Sequence, residues 1–283
     1  MVLMSVENEE NSSIVVGTSK GDPEMSALNR AKFEEDDEDD EELGIKESKV
    51  LVVEAVPIDI FCMTISQAYS IYPKDKVVEA IEKEIKNMID MGVFGPVEKG
   101  SDIPKKMVIP SMFFLKDKGN SDNIELKGRF VGGGHRQDET IYERNSSPTT
   151  SPQTIFITLA DAAEKKKSIL IGDVPCAYLH APRGDLPKVY VRLNKEMTAA
   201  LIKLCPEFAS MVQEDGTIIV EILKGLYGLI ESGHTWYNHL TAFLISIGFT
   251  VCQFDKCVFK KGKINLVIYV DDLLLTGPED GRK

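Results

Sequence analysis

An α+β fold is predicted for this 283-residue chain by three features of its sequence. Two long stretches place apolar residues at helical spacing. Several short apolar runs are bounded by turn residues, as strands are. The C-terminal part reads as an antiparallel hairpin whose turn is Lys261-Gly262-Lys263. A hydrophobic fraction of 43% is enough for a sizeable core.

Residues 1–50 come first and read as a disordered acidic tail. They are poor in aromatics and contain nine consecutive acids, Glu34 to Glu42. Order is expected from near Leu51. Between Pro73 and Met91, Val77, Val78, Ile81, Ile85, Met88 and Ile89 form one helical face, with Gly92 as the stop. Val108–Leu115 and Arg129–Val131 are predicted strands flanking a loop at Lys118–Asn123. Ser151-Pro152 opens a helix running through Phe156 and Leu159 to Lys167, with Ser as N-cap and Pro in the first turn. Ser168–Leu179 is expected as a buried strand and Thr217–Leu223 as another. Trp236, Tyr237, Leu240, Phe243, Leu244 and Ile247 mark a second amphipathic helix, ended by Gly248. Strands are then predicted at Thr250–Lys260, Ile264–Tyr269 and Leu273–Thr276.

Charge is unevenly spread. The chain carries a formal net charge of −12, but residues 1–50 hold fifteen acidic against five basic residues. The remainder has thirty against twenty-eight, so it is near neutral and leaves room for a basic groove. Five widely spaced cysteines without a CxxC pair point to reduced thiols and an intracellular protein, cytoplasmic or nuclear. Cys252, Cys257, His234 and His239 have the wrong spacings for a common zinc site. The N-terminus lacks the basic start and apolar core of a secretion signal, and no apolar run approaches the ~20 residues of a membrane span.

Two acids are out of place. Asp271 and Asp272 interrupt an apolar stretch, Ile264 to Tyr269 before them and Leu273-Leu274-Leu275 after. Asp is depleted from strands, so the pair marks a turn, yet the β-branched Val270 beside it suits a tight turn poorly. Breaks of a local rule concentrate at functional sites. Clustered carboxylates suit a hard cation such as Mg²⁺, and two such ions can clamp both oxygens of a phosphoryl transfer. Asp173, at the end of Ile169-Leu170-Ile171-Gly172, is the candidate third carboxylate. On residue chemistry alone, an ordinary exposed turn at Asp271-Asp272 and a helix or loop cap at Asp173 account for these acids equally well.

The neighbours of these acids carry a resemblance. Tyr269-Val270-Asp271-Asp272 with Leu273-Leu274-Leu275-Thr276-Gly277 resembles the metal-binding hairpin of copia-type retrotransposon reverse transcriptases. Asp173-Val174-Pro175-Cys176-Ala177-Tyr178-Leu179-His180, followed by Val189-Tyr190-Val191, resembles the first-aspartate motif of that family. Leu223-Lys224-Gly225-Leu226-Tyr227-Gly228-Leu229, with Trp236 downstream, resembles its template-side motif. Lys127-Gly128-Arg129-Phe130-Val131 resembles its fingers strand, and Ser147-Pro148 stands where the family has Phe-Ser-Pro. The match runs in order from about Lys74 to Gly277.

The resemblance implies a right-hand polymerase fold with an antiparallel palm sheet, fingers-like over 51–167 and palm-like over 168–283. It implies RNA- or DNA-templated DNA synthesis from a primer and deoxynucleoside triphosphates, without a membrane. Asp173, Asp271 and Asp272 would be catalytic, and with the Val174 carbonyl would hold two Mg²⁺ ions, Mn²⁺ being the alternative. Lys127 and Arg129 would hold the triphosphate, and Tyr178 would exclude a ribose 2′-hydroxyl. Trp236 reads as core. Glu231 stands in the nucleotide site where the family has Gln, which places a negative charge near a triphosphate. Ile230 and His234 replace a Lys and an Arg, and Ala181 replaces a Gly. The chain stops at Lys283, soon after Asp272, without sequence for a thumb or RNase H domain. Weak duplex binding is the expectation, because template–primer affinity leans on extended phosphate contacts. The rival reading is a catalytically inactive transposon remnant or a co-opted nucleic-acid-binding protein. An RNA-dependent RNA polymerase fits less well, given Tyr178 and the lack of Gly before the paired acids.

Overall fold

The computed structural model describes residues 62–119, 123–142 and 146–278. The acidic stretch and the expected start of order near Leu51 lie outside these residues, as does part of the Lys118–Asn123 loop. The chain opens with β1 (Met63–Thr64) and α1 (Ile65–Ile71). Thr64 caps α1 reciprocally with Gln67, each side chain taking the other's backbone N–H. α2 (Lys74–Asp90) buries Val77, Ala80, Ile81, Ile85 and Met88 on one side, as their spacing predicts.

Two mixed layers follow from where the apolar faces go. β2 (Phe94–Gly95), β3 (Val108–Asp117) and β4 (Leu126–Gly132) join a six-stranded sheet. β6 (Tyr190–Leu193) and β7 (Ile218–Ile222) belong to the same sheet, in the order β1-β3-β6-β7-β2 with β4 on the other edge of β3. β3 can serve three partners because its first residues pair with β6 in parallel, while its later residues take β4 on one side and β1 on the other. Its core is one apolar cluster in which α2 residues pack with Phe113, Leu115, Phe130, Val191 and Val220. α5 (Lys195–Leu204) adds Met197 and Leu201 to that cluster. Sequence reading did not assign α5, although its signals are present: Asn194 accepts from Met197 N at 2.9 Å, and Met197, Ala200 and Leu201 share one face.

The second sheet is antiparallel throughout, in the order β5-β11-β10-β9-β8. Its strands are β5 (Ser168–Asp173), β8 (Thr250–Val251), β9 (Val258–Lys261), β10 (Ile264–Tyr269) and β11 (Asp272–Gly277). α3 (Pro152–Glu164) precedes β5; Ser151 caps it, accepting from Thr154 N. α6 (Ser232–Ser246) packs Trp236, Leu240 and Leu244 against Leu266 and Ile268. The helix ends before Gly248, whose φ of 93° only glycine adopts readily.

Two sequence expectations are corrected. The strand expected over Ser168–Leu179 stops at Asp173, because Pro175 and a left-handed Cys176 (φ 55°) turn the chain into the short α4 (Ala177–His180). It is not buried either: Ile169, Leu170 and Ile171 are 45%, 51% and 61% exposed, and because successive side chains point to opposite faces, neither face of β5 is covered here. The strand expected over Thr250–Lys260 divides into β8 and β9, which pair with each other. Asp255 breaks it by drawing the Cys257 N–H onto its carboxylate at 2.8 Å, a local bond that competes with strand pairing.

Candidate active site

β10 and β11 meet in a two-residue turn, Val270-Asp271, because Tyr269 pairs directly with Asp272. Val270 has φ 59°. That is the hairpin position at which glycine is preferred, and a β-branched side chain there is strained. Two bonds from outside the hairpin hold it. Trp236 Nε1 donates to the Val270 carbonyl at 2.7 Å, and Val174 N donates to the Asp271 carbonyl at 2.9 Å. Trp236 is 4% exposed, so it is core as expected, but it also braces the turn, a role its helical spacing could not disclose.

The second bond extends the β5–β11 ladder by one step. Within the ladder Asp173 lies directly opposite Asp272. Opposed residues in an antiparallel pair project to the same face with Cα atoms roughly 4.5–5.5 Å apart. The sheet therefore sets Tyr269, Asp272 and Asp173 in a row, with Asp271 at the adjoining turn position. Asp173 is exposed, while Asp271 and Asp272 are half-buried. Burial first, then the charges of Asp271 and Asp173, push the Asp272 carboxyl above its ordinary value.

Three carboxylates and the Val174 carbonyl make this an all-oxygen donor set, which suits Mg²⁺ or Mn²⁺ in kind. Among the described residues no three His, Cys, Asp or Glu side chains stand together as a ready-made metal cage. The backbone register brings the three acids to adjacent positions.

The residues expected to hold a nucleotide divide into two groups. Arg129 and Lys127 are exposed and share one face of β4, while Leu126, Gly128 and Phe130 between and beside them are buried. The Arg129 guanidinium lies over the Tyr227 ring, 5.0 Å from its centroid. Tyr227 in turn meets Tyr178 edge-on at 4.8 Å and 66°. Burial, then the Asp271 charge, raises the Tyr178 phenol; burial raises that of Tyr227, with Arg129 opposing and Asp271 adding. Arg129, Tyr178 and the carboxylates are thus neighbours by way of Tyr227, and Lys127 lies two residues farther from that stack.

Glycines allow this approach. A Cβ on Gly225 would stand 2.7 Å from the Tyr178 carbonyl oxygen, and one on Gly228 (φ 89°) 2.2 Å from that of Gly132. Gly132 N also donates to the Tyr227 carbonyl at 2.8 Å. The 225–228 segment is therefore wedged between the Asp173–Tyr178 segment and the end of β4.

Glu231 forms the other group. It is 2% exposed and ion-paired with Arg183, itself buried. Gln137 Nε2 donates to the second Glu231 oxygen at 2.9 Å and to the Tyr142 hydroxyl at 2.8 Å, while Gln137 Oε1 accepts from Ile230 N at 3.0 Å. The charge that sequence reading assigned to Glu231 thus has a buried partner. Nothing in the sequence linked Arg183 to a residue 48 positions away. The cluster borders a cavity of about 560 Å³ that His234, Asn238 and His239 also line.

Comparison with known proteins bears on this site directly. Residues 96–282 match the family model described as reverse transcriptase (RNA-dependent DNA polymerase). The Transposon Ty1-LR2 and Ty1-ML2 Gag-Pol polyproteins of Saccharomyces cerevisiae are each 28% identical to this chain over 206 residues, which cover 71% of it. The Ty1-DR4 Gag-Pol polyprotein of the same yeast is equally similar over the same length. The match takes in about 10% of the first two relatives and 12% of the third, so the chain spans roughly a tenth of their length.

Proposed function

Because this chain belongs to the reverse transcriptase (RNA-dependent DNA polymerase) family of copia-type retrotransposons, we propose that it carries out template-directed nucleotidyl transfer at the β10–β11 turn. The observation that carries this reading is the ladder register, Asp173 opposite Asp272 with Val174 bonded to Asp271. In this reading the second sheet with α6 is the palm. The first sheet with α2 and α5 is the fingers, and it draws β6 and β7 from beyond the 167/168 boundary that the sequence suggests.

Asp173, Asp271, Asp272 and the Val174 carbonyl would hold two Mg²⁺ or Mn²⁺ ions. Bound there, the ions supply positive charge to the attacking primer hydroxyl and the departing pyrophosphate. The chain's own contribution is placement. Strain at Val270, held by Trp236 and Val174, fixes where the Asp271 and Asp272 carboxylates start. Arg129 offers a planar fork to phosphate oxygens, and Lys127 a second positive charge on the same face. Tyr178 stands at the wall that a ribose 2′-hydroxyl would strike. Partners in this reading are a primed RNA or DNA template and deoxynucleoside triphosphates.

A second reading, a fold kept without catalysis, draws on Glu231. The family's Gln is neutral, whereas Glu231 is committed to Arg183. Primer extension on a homopolymer template with Mg²⁺ separates the two. Incorporation that Asp271→Asn abolishes supports metal catalysis at this turn. Equal incorporation by both proteins refutes it, and none by either favours the second reading.

A further inference from the structure

We propose that Tyr227 is a positioning residue that couples triphosphate binding at Arg129 to sugar discrimination at Tyr178. The inference rests on the nucleotide site just described and adds to it a residue that the site reading does not use.

Three chain segments far apart in sequence meet at this one ring. β4 lays the Arg129 guanidinium on its face at 5.0 Å, within the range at which a cation is attracted to an aromatic quadrupole. The Asp173–Tyr178 segment brings the Tyr178 ring to its edge at 4.8 Å. The Tyr227 backbone has little freedom to shift, so a change at the ring is left to the ring's own contacts. The Tyr227 carbonyl is bonded to Gly132 N, and the glycines at 225 and 228 press its backbone against Tyr178 and Gly132. Both tyrosines are only half-buried, Tyr178 packing against the apolar cluster of the second sheet, so the stack borders open space. A guanidinium turning toward phosphate oxygens changes its hold on the Tyr227 face, and that ring sets the angle of Tyr178. A deoxynucleoside triphosphate satisfies both ends. A ribonucleoside triphosphate engages Arg129 but meets a Tyr178 ring that the occupied stack holds in place.

Binding of dTTP and UTP to the full chain, each with Mg²⁺ and a poly(rA)·oligo(dT) primer, tests this by equilibrium titration. Wild type should prefer dTTP. Tyr227→Leu should weaken dTTP binding about tenfold and narrow the dTTP:UTP ratio at least about threefold, and Tyr227→Phe should restore both. Arg129→Gln, at an exposed position where folding is secure, should also narrow the ratio, although Arg129 does not reach the sugar. Narrowing by Arg129→Gln with full retention in Tyr227→Phe supports the coupling. An unchanged dTTP:UTP ratio in Tyr227→Leu or in Arg129→Gln overturns it, leaving the nucleotide site intact. Failure of wild type to bind either triphosphate overturns the site reading, and the coupling with it.

Discussion

Asp272 is the residue at which the proposed function and stability oppose each other most plainly. Its folded-state pKa is raised, so the native chain holds a proton that the unfolded chain has lost, and stability falls as pH rises through that window. Asp272→Asn is therefore expected to raise stability at neutral pH without metal by a few tenths to about 1 kcal/mol, the scale of partly exposed charges. The gain should vanish at pH values below the ordinary carboxylate range, which thermal melts across pH would show. Glu231 and Arg183 behave differently, because both are buried. Glu231→Gln leaves a guanidinium without its counter-charge and should cost about 3 kcal/mol in urea unfolding, with much of the loss recovered when Arg183→Met is added. Simple additivity would argue against the pairing. The three aspartates were readable in the sequence because acids between apolar runs break a local rule. Arg183 and Gln137 were not, since neither breaks any, and only tertiary contact gives them their partners.

At the scale of elements, α2 and α6, whose apolar residues repeat at helical spacing, and α3, signalled by its Ser151-Pro152 opening, each lie within or beside their predicted stretches. Strand limits were harder to read. β5 is apolar like a buried strand yet lies at a sheet edge, and composition cannot distinguish the two. The 225–228 segment carries the sharpest prediction here. Gly228→Ala places a methyl group 2.2 Å from the Gly132 carbonyl oxygen at φ 89°, and should cost about 3 kcal/mol or more and loosen the join between β4 and the tyrosine stack. Val270→Gly should do the reverse for the hairpin, raising stability by about 1 kcal/mol through relief of left-handed strain while lowering nucleotide incorporation. A Val270→Gly protein that is less stable would mean that the packing of Val270 against the second sheet's apolar cluster outweighs the strain.

For the molecule as a whole, charge distribution is the property the sequence exposes most clearly. Most of the −12 net charge belongs to residues 1–50. Deleting them should strengthen template–primer binding several-fold at low ionic strength, with the difference fading as salt shortens the screening length. The architecture was legible only as a class. An α+β pattern is evident from alternating periodicities, but the sorting of β6 and β7 into the first sheet depends on long-range pairing that no local pattern records. Everything proposed about function depends on one consequence of that architecture, the meeting of Asp173 with the β10–β11 turn. Mn²⁺ titration followed by electron paramagnetic resonance, on wild type, Asp173→Asn and Asp271→Asn, probes it most directly. Saturable binding that either substitution weakens by about tenfold or more is the predicted result. Mn²⁺ binding of equal strength in all three proteins would contradict it.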